Sequence, residues 1–190
     1  GEVGLAETDL AVHTEAGERI AATLTVPDGD GHEPWPAVLL CQGLSGIRTA
    51  VLPELARIFA GQGLASLRFD YLGCGDSEGE PGWVDPVSRS RQAALALAWL
   101  IARNDIDSTK VGVYGHSYGG QTAISVAARD RRVGAVVAVS SPGSGSDLLR
   151  ASRAGWDWIA FSKQLEQERA SVAGGSEPRM IGVDELLPFS

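Results

Sequence analysis

Apolar and polar positions alternate over Thr8–Thr14 and again over Arg19–Val26. Alternation with a period of two predicts strands, and Glu15-Ala16-Gly17-Glu18 between them reads as a turn. The pair is expected to form an antiparallel hairpin. Pro27–Pro36, rich in Asp, Gly and Pro, is a loop. From Trp35 the pattern changes. Ala37–Cys41, Leu64–Phe69, Lys110–Tyr114 and Val133–Val139 are short apolar runs, the mark of strands buried on both faces. Helical patterns separate them. Pro53–Gln62 places Leu55, Ile58 and Phe59 on one side. Asp85-Pro86 is an N-cap with proline at the first helical position. The helix it opens runs to about Arg103, with Val87, Ala94, Ala98 and Ile101 along one stripe. Tyr118–Ala128 is a helix of small residues.

Strands that alternate with helices imply an α/β fold. The expected architecture is a mostly parallel sheet with an N-terminal antiparallel hairpin and helices on both faces. After Ser140 the alternation stops. Ser141–Ser146 is Ser, Gly and Pro. Asp147–Ala170 is helical in composition, with Trp156, Trp158, Ile159 and Phe161 clustered. Ala173–Ser190 has no clear period. The chain therefore divides into a core, residues 1–142, and a helical segment resembling a cap, residues 143–190.

Composition narrows the partners. The net charge of −8 repels phosphate backbones and anionic lipid surfaces, so neither nucleic acid nor membrane is expected as a partner. The longest apolar run, Ala93–Ala102, has ten residues and is too short to span a bilayer. The two cysteines, Cys41 and Cys74, form no C-x-x-C pair, which suggests a reduced, cytoplasmic protein. Both read as small buried fillers. No cluster has metal-ligand spacing, and the glycines after Tyr71 do not form a dinucleotide fingerprint, so no cofactor is expected.

One motif carries chemistry. Gly115-His116-Ser117-Tyr118-Gly119 is G-x-S-x-G between a buried strand and a helix. In that context the serine sits on a sharp turn, with its hydroxyl held out at the carboxyl edge of the sheet. The amide of Tyr118, at a helix N-terminus, can stabilise an oxyanion. Gln42-Gly43-Leu44-Ser45-Gly46 follows the first buried strand, and a loop there can aim the amide of Leu44 at the same point. Asp70 and Asp76 read as turn formers whose carboxylates bond local amides.

With Phe69-Asp70-Tyr71-Leu72-Gly73-Cys74-Gly75-Asp76-Ser77-Glu78-Gly79, these motifs resemble the α/β-hydrolase family, in its serine esterase and acyl-hydrolase branch. The likeness covers about residues 8–140. Gln42 stands where histidine is usual, and Leu72 where arginine is usual. The resemblance implies that Ser117 attacks an ester, thioester or amide carbonyl, that Leu44 and Tyr118 hold the oxyanion, and that water releases the acyl-enzyme. It also suggests that Gln42, Gly43, Trp156, Trp158 and Phe161 line a substrate site.

The family order is serine, acid, histidine. Asp147, or Asp184 after a possible short strand at Arg179–Val183, is the candidate acid. The histidines are His13, His32 and His116, and all precede Ser117. The expectation is that this chain is the N-terminal part of a longer hydrolase. A C-terminal segment or second chain would then bring the acid and the histidine, and a homodimer is another way to cover the last strand. Two other readings stay open. One is a binding module without catalysis. The other is a biosynthetic acyltransferase or cyclase that uses the same acyl-enzyme.

Overall fold

The structure, a computed structural model, describes residues 4–28 and 34–188. The chain forms two compact units, residues 1–141 and 142–190. In the first, strands β1 (Leu5–His13) and β2 (Arg19–Pro27) make the hairpin. Strands β3 (Trp35–Cys41), β4 (Ala65–Phe69), β5 (Ile106–His116) and β6 (Val133–Val139) follow. Helices α1 (Leu52–Gly61), α2 (Pro86–Ile101) and α3 (Tyr118–Ala127) connect them. The sheet order is β1-β2-β4-β3-β5-β6, antiparallel through β2 and β4 and parallel from there on. The α/β fold class read from the sequence is the one observed.

One row of side chains shows how the sheet is buried. The register aligns Leu24, Leu67, Leu39, Val113 and Val136 across five strands. The first four are 4%, 0%, 0% and 1% exposed, and Val136 is 45% exposed. Each fully buried side chain of this size contributes about 1.5–3 kcal/mol. The sequence pattern predicted β6 to be buried on both faces. It lies instead at the sheet edge, exposed from Gly134 to Val139, with β5 as its one neighbour among the described strands.

Two predicted helix faces also differ. On α2 the buried positions are Arg89, Ser90, Gln92, Ala93, Ala96, Leu97, Leu100 and Ile101; of the expected stripe Ile101 is buried, whereas Val87, Ala94 and Ala98 face outward. The apolar pattern alone does not mark the inward face, because Arg89 and Gln92 belong to it. On α1 the fully buried residues are Leu52, Ala56 and Ala60; Leu55 and Phe59 pack against that cluster half-buried, as expected, and Ile58 is exposed. The N-cap is as expected: Asp85 accepts hydrogen bonds from the amides of Val87 and Ser88.

The second unit holds α4 (Gly145–Ala151), α5 (Gly155–Ala173) and α6 (Val183–Leu186). The single helical stretch expected at Asp147–Ala170 is broken at 152–154. Arg179–Val183 is not a strand; Val183 begins α6. Among the described residues no helix is long and apolar enough to cross a membrane.

The hairpin is tied to the central sheet by an ion pair. Arg68, 4% exposed, donates to Glu7 at 2.9 Å and to Thr25 at 2.7 Å. The bond from Arg68 holds the Glu7 carboxyl below its ordinary 4.5, against a smaller opposing effect of burial. The pair therefore stabilises the fold above about pH 4.5 and loses that contribution as the pH falls. Solvent reaches Glu7, so the contribution is about 1 kcal/mol or less. In thermal melts, Glu7→Gln is expected to melt below the parent at pH 7 and level with it at pH 3. A gap of constant size at both would contradict the pairing.

Candidate active site

Ser117 is the single residue between β5 and α3, and its backbone is at φ 52, ψ −128. A residue other than glycine in such a region costs of order 1–3 kcal/mol and persists when its surroundings hold it. They do so here. The Ser117 amide donates to Val139 O at 2.8 Å, and its carbonyl accepts from the Gly120 amide at 3.0 Å. Glycines make the sharp turn possible. A Cβ at Gly115 would overlap the Gly119 carbonyl, and one at Gly119 would overlap the carbonyls of Cys41 and Gln42. Ser117 is exposed, and its hydroxyl has no hydrogen-bond partner among the described residues.

The register brings a second loop level with the turn. Cys41 pairs with Gly115, so the residues after β3 run beside those that end β5. A Cβ built on Gly43 would stand 3.7 Å from Ser117 Cβ and 3.5 Å from His116 Nε2. The Gly43–Leu44 loop thus lies against the serine. The N-terminus of α3, with its positive end of the helix dipole, lies at Tyr118.

A buried polar network holds that loop. Asp70, 0% exposed, accepts from the Arg48 amide at 2.6 Å, from Arg48 Nη1 at 2.6 Å and from the Asp76 amide at 3.0 Å. Arg48 Nη1 also donates to Asp76 at 2.7 Å. Burial works against the charged form of Arg48, but the bonds to Asp76 and Asp70 prevail and raise its pKa. Asp70 does bond a local amide, as expected of a turn former. Its tie to Arg48 across the sheet edge was not legible in the sequence.

The other sequence candidates fall as follows. Gln42 was expected to meet substrate. Its side chain is 1% exposed, and its amide nitrogen donates to Phe69 O at 2.6 Å, so it braces the loop from below. Burial pushes the Cys41 thiol up to about 12, which keeps it protonated. His13 is exposed on the hairpin, where it pairs with Arg19. His32 lies outside the described residues. His116 is half-buried at the end of β5, next to Gly43. In the second unit Asp147 and Asp184 are exposed, in the first turns of α4 and α6. Trp156 is 85% exposed. Phe161 is buried, with Arg153 Cζ 3.6 Å above its ring and Trp158 at 6.5 Å. That packing covers the Phe161 ring, which the sequence reading had assigned to substrate.

The family model described as X-Pro dipeptidyl-peptidase (S15 family) matches residues 16–176. The chain belongs to this family. The S15 chain is thus an α/β-hydrolase by fold, and solved structures agree. DcsB in complex with its substrate analogue superposes with a TM-score of 0.72 at 27% identity, covering 92% of this chain and 56% of that one. An uncharacterized 31.7 kDa protein of Escherichia coli is 31% identical over 170 residues, which are 90% of this chain and 59% of the relative. A polyketide transferase of Aspergillus fumigatus is 30% identical over 147 residues, 77% of this chain and 48% of its own. A thiohydrolase of Aspergillus aculeatus is 33% identical over 110 residues, 57% and 35% of the two chains. The S15 chain therefore spans less than two thirds of the length of these relatives.

Proposed function

We propose that this chain carries the nucleophile and oxyanion half of a serine enzyme that acts on acyl esters or thioesters. Ser117 attacks the acyl carbonyl, and the leaving alcohol or thiol departs with a proton. The amides of Leu44 and Tyr118 bind the developing oxyanion, and water hydrolyses the acyl-enzyme. The observation that carries the reading is the strained, exposed Ser117, with α3 behind it and the Gly43–Leu44 loop against it. A free serine hydroxyl is a weak nucleophile. No histidine follows Ser117 in the 190 residues, so the base and acid come from a segment or chain outside this sequence. The exposed edge of β6 is where such a part would join the sheet, since unpaired edges recruit strands.

The inclusion of thioesters draws on the likeness to proteins named a thiohydrolase and a polyketide transferase. The transferase likeness also supports the second reading, transfer of the acyl group to a hydroxyl or amine other than water. Incubating the protein, together with its completing part, with an acyl N-acetylcysteamine thioester and a small alcohol distinguishes the two. Free acid as the main product supports the hydrolase, and the new ester supports the transferase. Thiol release that continues in Ser117→Ala contradicts both.

A further inference from the structure

Arg89 lies on the inward face of α2 and is 2% exposed. Among the described residues no carboxylate pairs with it. A buried charge without an ion partner is costly unless its neighbours replace the lost water. Nη2 donates to Leu44 O at 2.8 Å, and Nη1 donates to Gly43 O at 3.3 Å. Nη2 also lies 3.7 Å from Cys74 Sγ. The guanidinium carbon is 4.5 Å from the centre of the Tyr71 ring and 5.5 Å from that of Tyr118. Nε is buried and has no hydrogen-bond partner among the described residues. One cation thus touches Leu44, Tyr118 and the Gly43 carbonyl that shares a peptide unit with the Leu44 amide.

We propose that Arg89 is a positioning residue that aims the Leu44 amide at the oxyanion and tethers Tyr118 beside it. The inference rests on the reading of Ser117 as nucleophile. The carbonyl of Gly43 and the amide of Leu44 belong to one peptide unit. That unit is planar and trans, so its C=O and N–H point in opposite directions. Fixing the Gly43 oxygen on Arg89 therefore fixes the Leu44 N–H on the far side. The Leu44 oxygen, held by the other arm of the fork, sets the next peptide in the same way. A donor on the carbonyl also polarises the peptide and strengthens its N–H as a donor. The planar fork of arginine reaches both carbonyls, which the single ammonium of lysine does not. Because no carboxylate neutralises it, the Arg89 charge adds to the field that stabilises a developing negative charge.

Arg89→Met and Arg89→Lys test this, in the protein with its completing part. Removing one oxyanion donor costs about 10²–10³ in kcat, and a donor left misaligned costs less. Arg89→Met is expected to lower kcat roughly 10–100-fold with KM within about twofold, as an effect confined to the transition state requires. Arg89→Lys is expected to recover most of the melting temperature and little of the kcat. A purely structural role would move the two together. Unchanged kcat in Arg89→Met, or full recovery in Arg89→Lys, overturns the proposal. Backbone ¹⁵N order parameters decide it independently of turnover. Gly43–Ser45 are expected to fall from about 0.85 to below about 0.6 in Arg89→Met while β3 and β4 stay rigid. If the parent enzyme shows no Ser117-dependent turnover, the nucleophile reading fails. In that case unchanged order parameters overturn the Arg89 tether, and a local drop upholds it.

Discussion

Asp70→Ala is expected to destabilise the protein by roughly 3–5 kcal/mol, the range for removing one partner of a buried ion pair. The first reason is Arg48, which is 8% exposed and would keep its charge with only the exposed Asp76 to oppose it. The second is the number of donors left without an acceptor. The amides of Arg48 and Asp76 both lose their bond, and Gln42 loses a longer one at 3.4 Å. Each buried donor left unmade costs about 1–3 kcal/mol. For a chain of this size the loss corresponds to a fall in melting temperature of roughly 6–20 °C. A double replacement, Arg48→Met with Asp70→Leu, is expected to lose less than the single one, because it removes the stranded charge. Thermal melts of the three proteins check this. A fall of under 2 °C in Asp70→Ala, or a double variant that melts below Asp70→Ala, would contradict the account of the network.

Ser117→Ala is expected to abolish acyl turnover, by on the order of 10⁶ in kcat where nucleophile and base act as a unit. Stability should hardly change, because the side chain is exposed and its hydroxyl bonds nothing among the described residues. Ser117→Gly separates function from strain. Glycine adopts φ 52 without the steric cost borne by serine, so this variant should be equally inactive yet more stable by about 1 kcal/mol. Parallel assays of turnover and melting check both. Retained turnover in either variant would remove Ser117 from the chemistry. Loss of stability in Ser117→Gly would mean that the turn is not strained.

The sequence pattern revealed the elements more fully than their surroundings. Strand and helix positions in the first unit are local properties, set by apolar runs, the Asp85 cap and the G-x-S-x-G turn, and the structure shows them close to where they were expected. The edge exposure of β6 depends on sheet order, which its run of Val, Ala and Gly does not encode. Gln42 looked free to meet substrate because its partner, Phe69 O, is 27 residues away in the chain. Arg48 carried no signal at all, since its role exists only where two loops converge. Arg89 did carry one. It is spaced with Ala93, Ala96, Leu97 and Leu100 on the same helix face, and a charged residue on an otherwise apolar face marks a buried polar contact. The candidate acids rest on chain order alone: Asp147 and Asp184 are exposed carboxylates in the first turns of α4 and α6.

The central claim is that Ser117 is a nucleophile whose base comes from outside these 190 residues. The most direct test is intact-mass and peptide analysis after incubation with a fluorophosphonate, which reacts with activated serines. The account predicts one adduct, on Ser117, absent in Ser117→Ala. It also predicts that the labelled species contains a histidine-bearing segment beyond residues 1–190, in the same polypeptide or in a bound second one. An adduct on another residue would contradict the claim, and so would an unreactive Ser117 in the presence of that segment.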